Sequence, residues 1–169
     1  MDRAEFDIRE AGIADMPRAA ELFREYAGGI GIDLSYQGFE TELASLPGAY
    51  APPRGAILLA EQDGVAIGCV GLRPFGEGNV CEMKRLHVRE MARGLGLGRA
   101  LAEAAIASAR GRGYAVIHLD TLSTMTRAQR LYHALGFREI APYYPTPVAD
   151  TIFMGLALDR TTGPIVQEN

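Results

Sequence analysis

Apolar and polar residues alternate along several short stretches of the chain, with period two, which is typical of strands in a half-buried sheet. Segment 80–88 shows the pattern most clearly, with apolar Met83, Leu86 and Val88 set among charged residues. Strands are predicted at 6–10, 56–61, 65–74, 80–88, 115–119, 137–140 and 151–158.

Apolar residues recur at helical spacing in four other segments. Asp15 is predicted to cap the first helix, and a second spans 39–46 and ends before Pro47-Gly48. A long helix starts at Leu97, and another begins near 126 and ends at Gly136, a residue suited to the left-handed position after a helix. Segment 28–32 is predicted to be a glycine-rich loop, either a plain connector or a mobile lid over a pocket.

The order of these elements indicates a mixed α/β (α+β) sheet. Tight turns at 63–64 and 76–79 give two consecutive hairpins, and therefore an antiparallel meander. The helix from Leu97 then crosses over to strand 115–119, which is expected to lie parallel to strand 80–88.

Composition narrows the class of protein. A chain of 169 residues with 48% hydrophobic and 22% charged residues is expected to form one globular domain over 1–169, with 159–169 as a loose tail. The net charge of −4 argues against nucleic acid, no apolar run suits a membrane, and the charged N-terminus predicts a cytoplasmic protein. Cys69, Cys81 and the three histidines show no metal-ligand spacing, so no metal is expected.

The glycine-rich loop after strand 80–88 is the main chemical feature. Its residues are Arg93, Gly94, Leu95, Gly96, Leu97, Gly98 and Arg99. Glycines that expose backbone N–H groups at the start of a helix favour an anion, although a plain turn has the same spacing. Gly98 is not followed by Lys-Ser or Lys-Thr, and Leu101 replaces the third glycine of a dinucleotide fingerprint, so neither nucleotide motif fits.

Two motifs together resemble the GCN5-related N-acetyltransferase (GNAT) family. The first is R-x-x-G-x-G at 93–98 after the strand end Leu86-His87-Val88, and the second is A-x-x-L-Y-x-x-x-G-F at 128–137. The resemblance covers about 6–158. It implies a mostly antiparallel central sheet of about six to seven strands flanked by about four helices.

The resemblance also implies acetyl-coenzyme A as the acyl donor. The pantetheine arm is then expected on the backbone of Leu86, His87 and Val88, and the pyrophosphate on the loop from Arg93 to Arg99. The implied reaction is direct transfer of an acetyl group to an amine through a tetrahedral intermediate, aided by a backbone N–H of the central strand.

Two catalytic residues are expected. Tyr132 occupies the family's tyrosine position, where it protonates the departing thiolate; packing on the helix face is the alternative. Glu82 is the candidate base that deprotonates the acceptor amine, and a salt-bridged glutamate beside Lys84 and Arg85 is the alternative.

Met125 stands where many family members have an asparagine that contacts the cofactor. A second hypothesis is therefore a non-catalytic acyl-coenzyme A sensor. Arg73, Arg85 and Tyr143-Tyr144 are candidates to recognise a carboxylate or aromatic acceptor, with ordinary structural roles as the alternative. The expected partner is a small-molecule or peptide amine that accepts the acetyl group. Binding to nucleic acid or to a membrane is not expected, and the formation of a homodimer is left open.

Overall fold

A computed structural model describes residues 5–158, except for the side chain of Tyr36. The predicted tail at 159–169 lies outside the described residues. One mixed sheet has the strand order β1-β2-β3-β4-β5-β7-β6, in which only β4 and β5 are parallel. Its strands are β1 Asp7–Glu10, β2 Ala56–Gln62, β3 Val65–Pro74, β4 Val80–Val88, β5 Val116–Leu122, β6 Arg138–Ile140 and β7 Thr151–Ala157. This confirms the predicted mixed, mostly antiparallel α/β architecture.

Four α-helices pack against the sheet: α1 Met16–Ile30, α2 Phe39–Ala44, α3 Leu97–Gly111 and α4 Thr126–Ala134. The loop predicted to begin at Gly28 is shorter than expected, because α1 continues through both glycines and ends before Gly31, whose φ is 67°. Burial of Leu22 and Phe23 stabilises α1 enough to tolerate two glycines, each of which costs about 1 kcal/mol in a helix.

Asp15 precedes α1 as predicted, but its side chain does not cap the helix. Its carboxylate instead accepts hydrogen bonds from Arg9 and Arg18 and from the backbone N–H of Gly12. The aspartate therefore ties β1 to the start of α1.

The helices cover both faces of the sheet, so the protein has two apolar layers. On one face α3 contributes Leu97 and Leu101 to a cluster with Leu72, Met83 and Ile117. On the other face α1 and α2 contribute to a second cluster, whose large buried members include Leu22, Phe23, Leu43, Tyr50 and Leu59. Among the described residues, no helix is both long and apolar enough to cross a bilayer.

The hairpin turn between β2 and β3 is tight, as predicted, with positive φ at Asp63 and Gly64. A bulge interrupts the next hairpin: pairing moves from Gly71↔Lys84 to Cys69↔His87, and Arg85 has a φ of 62°. The extra residue in β4 lets the consecutive side chains of Lys84 and Arg85 reach the same partner on the α2 side, Gln37.

Strands β4 and β5 separate after three residue pairs. Their parallel pairing covers only Val80–Glu82 with Val116–His118. Beyond that point β4 stays paired to β3 and β5 stays paired to β7, so a gap opens between the two strands. The predicted parallel pairing of the two strands is confirmed, and the gap beyond it is the start of the candidate site.

Candidate active site

A cavity of about 620 Å³ runs from the gap between β4 and β5 to the glycine-rich loop. Eight of the ten residues expected to contact the cofactor line it: Leu86, His87, Val88, Arg93, Gly94, Gly96, Leu97 and Gly98. Leu95 and Arg99 do not. Leu95 is exposed to solvent, and the Arg99 guanidinium binds Glu103 one turn along α3 at 2.8 Å. The cavity is therefore an elongated groove with an apolar arm and a glycine-lined end.

The loop reaches the N-terminus of α3 through two left-handed glycines. Gly94 and Gly96 have φ values of 85° and 74°, and Gly96 is the residue that precedes the first turn of α3. A Cβ at either position would meet no atom within 4 Å, so their backbone conformation, not crowding, demands glycine. The first N–H groups of α3 have no partner within the helix and favour an anion here.

A second helix N-terminus borders the same cavity. Thr124, Thr126 and Arg127, at the start of α4, line it opposite the glycine loop. This contribution was not predicted from the sequence, although Arg127, directly before the second motif, was a usable signal. Two helix N-termini with Arg93 and Arg127 make this end suitable for a pyrophosphate.

Met125 gives the cavity an apolar wall where the family often has a polar amide. It lies at the start of α4, and its sulfur accepts a 3.8 Å hydrogen bond from the Thr121 hydroxyl. Met125 also lines a smaller cavity of about 70 Å³ deeper in the gap, as does Tyr26 from the end of α1. The two cavities therefore share part of their walls.

Tyr132 lines this smaller cavity. The residue is 7% exposed, and its ring packs edge-on against Phe137 with centroids 5.7 Å apart. Burial raises the pKa of the phenol, so the hydroxyl holds its proton at neutral pH. The ring thus packs in the core, as the structural alternative expected, while the side chain also reaches the cavity.

Glu82 is buried in an ion pair and lines neither cavity. Its carboxylate accepts hydrogen bonds from Arg73 at 2.9 Å and from the Tyr143 hydroxyl at 2.6 Å. Burial by itself raises the pKa of Glu82, but Lys84, Arg73 and the Tyr143 hydroxyl outweigh it, and the pKa is lowered. The main partner is Arg73, directly opposite in the hairpin, and the role of base stays a prediction.

Both arginines considered for acceptor recognition bind carboxylates of the protein. Arg85 makes two hydrogen bonds to Glu42, at 3.0 and 3.3 Å, while Arg73 binds Glu82. Tyr143 and Tyr144 belong to an aromatic cluster that also contains Phe75, His118 and Phe153.

Sequence reasoning missed Lys84 and Asp120 as residues of the smaller cavity. An alternating pattern in a strand reveals which residues share a face but not where neighbouring strands part, so neither charge could be placed beside a cavity in advance. Among the described residues, no group of three or more His, Cys, Asp or Glu side chains could hold a metal ion.

Known proteins with similar sequences and structures are acetyltransferases. A relative from Schizosaccharomyces pombe, named as an uncharacterized N-acetyltransferase, is 41% identical over 140 residues, which cover 82% of this chain and 86% of the relative. The aminoglycoside N(6′)-acetyltransferase type 1 of Klebsiella aerogenes is 34% identical over 116 residues, 64% of this chain and 76% of that protein.

A solved structure supports the same fold. An acetyltransferase from Salmonella typhimurium, determined with its cofactor acetyl-CoA, superposes with a TM-score of 0.71 at 23% identity and covers 96% of this chain and 99% of its own. At that identity the likeness establishes the fold alone. The model of the acetyltransferase (GNAT) family matches residues 18–137, which include the glycine loop and the Tyr132 helix. The chain therefore belongs to the GNAT family of acetyl-CoA-dependent N-acetyltransferases.

Proposed function

We propose that this protein transfers an acetyl group from acetyl-CoA directly to a primary amine of a small molecule or peptide. The observation that carries the proposal is the gap between β4 and β5. It joins a glycine-lined anion site at one end to a cavity containing Tyr132 at the other. The family's relatives are named for different acceptors, an aminoglycoside among them, so membership leaves the amine open.

The groove supports binding of the donor along its whole length. Leu86 and Val88 offer strand backbone that β5 no longer pairs, and an amide-containing arm can bind there as an added strand does. Arg93 and Arg127 supply charge at the phosphate end. Bound acetyl-CoA would supply the reactive thioester carbonyl, which backbone N–H groups of β4 can stabilise as negative charge develops.

Tyr132 is proposed as the acid for the leaving thiolate. A buried phenol that remains protonated, on the wall of the cavity where the gap is deepest, is suited to donate its proton to sulfur. Glu82 is proposed as the base, acting through water, because its carboxylate lies beyond the cavity wall. Its lowered pKa keeps it ionised at neutral pH but also makes it a weak base.

Isothermal titration of acetyl-CoA, with ATP and NAD as controls, tests the donor site, and thiol release across an amine panel tests the transfer. Tyr132→Phe is expected to retain affinity for acetyl-CoA and to lose about 10²–10⁴-fold in rate. Tyr114→Phe is the matched control, because that hydroxyl binds the Arg54 carbonyl away from the site. Selective binding of acetyl-CoA without turnover of any amine would favour the sensor hypothesis, and failure to bind would refute both.

A further inference from the structure

Lys84 has an unusual position for a lysine. It is the only lysine in the chain, which otherwise uses arginine for its permanently charged cations. Its side chain is only 4% exposed, and it lines the 70 Å³ cavity in the gap. Lysine ammonium groups are normally solvated, because burying an unpaired charge is costly. A buried ammonium at a cavity wall therefore needs an explanation.

The protein satisfies this ammonium only in part. An ammonium has three N–H donors, and among the described residues Lys84 makes one hydrogen bond, to Gln37 Oε1 at 3.1 Å. Glu82 Oε1 lies 3.8 Å from Nζ, within ion-pair range but too far for a hydrogen bond. The Lys84 ammonium can thus donate further hydrogen bonds, and because the residue lines the cavity, an oxygen of a bound ligand can accept one.

Asp120 lines the same cavity from β5 and carries the opposite charge. One of its oxygens accepts a hydrogen bond from the Tyr144 hydroxyl. Within residues 5–158 no cationic nitrogen lies within 4.0 Å of this carboxylate, although its charge acts on Lys84 across the gap. Asp120 therefore retains acceptor capacity for an ammonium.

The other charges nearby are neutralised in pairs. Glu42 binds Arg85, with a shortest distance of 3.0 Å, and Glu82 binds Arg73, with a shortest distance of 2.8 Å. Recognition of a charged acceptor consequently falls to Lys84 and Asp120. Arg85 also lines the cavity, but Glu42 and Gln37 hold its guanidinium. Lys84 and Asp120 are thus the remaining charges of the lining, one on β4 and the other on β5.

We infer that the acceptor is a small amino acid, whose ammonium group binds Asp120 and whose carboxylate binds Lys84. This inference rests on the acetyl transfer proposed above and names its substrate class. Two opposite charges on facing walls match a zwitterion, whereas a simple amine would leave the Lys84 ammonium incompletely bonded. A lysine also suits a cavity of this size better than an arginine, because its ammonium is a compact point charge.

The test compares free amino acids, each with its own carboxamide, as acceptors in the thiol-release assay. The amide keeps the shape and loses the negative charge. Its ammonium is also more acidic, which supplies more free amine and favours the amide, so a preference for the acid cannot arise from amine ionisation. The wild-type protein is expected to prefer the acid over the amide by about tenfold to a hundredfold in kcat/KM, as charge-assisted hydrogen bonds typically do. Lys84→Met is expected to abolish this preference, mainly through KM, and Lys84→Arg to restore part of it.

Asp120→Asn provides an independent measurement. It is expected to weaken acid and amide equally, since both present the same ammonium, and to leave the preference intact. Titration of acetyl-CoA into each variant shows whether the donor groove remains folded. If Lys84→Met does not fold, the wild-type comparison and Lys84→Arg still decide the question.

Three results would overturn the inference: amides accepted as well as acids, a preference that survives Lys84→Met, or turnover of other amines but of no amino acid. In each of these results an amine is still acetylated, whereas failure of the proposed function would leave every amine unacetylated, whether or not acetyl-CoA binds.

Discussion

Replacing Gly96 in the glycine-rich loop separates backbone strain from electrostatics at the anion site. Gly96 has a φ of 74°, and a Cβ there would meet nothing within 4 Å. Alanine in this left-handed conformation costs about 1–2 kcal/mol of folding free energy. Asparagine and aspartate tolerate the conformation better and are nearly the same size. The pair Gly96→Asn and Gly96→Asp therefore differs chiefly by one negative charge.

The size of the charge effect follows from Coulomb's law. If a pyrophosphate binds at this end of the groove, an aspartate at position 96 would lie roughly 6 Å from one of its charges. One such pair repels by about 0.7 kcal/mol at the dielectric constant of water and by about 2.8 kcal/mol at an effective value of 20. Gly96→Asp is thus expected to bind acetyl-CoA roughly 3-fold to 100-fold more weakly than Gly96→Asn.

Isothermal titration of acetyl-CoA into both variants measures this difference in affinity. Urea unfolding is the control that checks whether the two variants are equally stable. The difference should shrink at high salt, since exposed charges are screened over about 3 Å at 1 M. Equal affinities of the two variants at low salt would refute the assignment of the pyrophosphate to this loop, whatever the cost of the strain itself.

Three further predictions concern the core, the candidate base and the response to acid. Gly71→Ala would place a Cβ 2.6 Å from the buried ring of Tyr50 and is expected to lower the free energy of unfolding by about 1–3 kcal/mol. Tyr143→Phe removes the hydrogen bond that the Tyr143 hydroxyl donates to Glu82, and the pKa of the Glu82 carboxyl is expected to rise. If Glu82 is the base, the acid limb of the pH profile of kcat/KM then shifts to higher pH. Asp15 has a lowered pKa, chiefly through its hydrogen bond from Arg9, so Asp15→Asn should flatten the loss of stability below about pH 4.

Each of these predictions has a control variant or a result that would contradict it. Gly28→Ala fills open space within α1 and should instead stabilise the protein by about 0.5–1 kcal/mol, as urea unfolding would show. An unshifted pH profile in Tyr143→Phe would exclude Glu82 as the titrating base. The Asp15 carboxyl stays ionised in the folded protein at a pH where the same group in the unfolded chain already binds a proton. The free energy of unfolding therefore decreases as the pH falls below about 4. If wild type and Asp15→Asn lost the same free energy of unfolding between pH 7 and pH 3, the ion pairs of Asp15 would not contribute to stability.

The strands were the most predictable part of the fold. The bounds of β3 and β4 agree with the prediction because both strands are flanked by turn residues whose glycines adopt positive φ. Their burial does not alternate, since consecutive residues of each strand are buried. The end of α1 was less predictable. The low helix propensity of glycine favoured an end of the helix at Gly28, whereas burial of its apolar face stabilises the helix as far as Ile30.

The candidate site was predictable where it depends on backbone and not where it depends on neighbours in space. Glycines at positions 94 and 96 indicated left-handed backbone conformations from the sequence alone, and the structure has positive φ at both. The pairing of Arg73 with Glu82 follows from the hairpin register and could have been derived from it. The position of Lys84 and Asp120 beside a cavity depends on how far β4 and β5 separate, and no pattern within a single strand encodes that distance.

The shared walls of the two cavities have a kinetic consequence. Tyr26 and Met125 border both the large groove and the small cavity, so acetyl-CoA bound in the groove as proposed would complete one side of the proposed acceptor cavity. On that proposal, the acceptor is expected to bind more tightly after acetyl-CoA than before it, so that the two substrates bind in order. By thermodynamic reciprocity, a bound acceptor must slow the escape of the donor or speed its capture by the same overall factor.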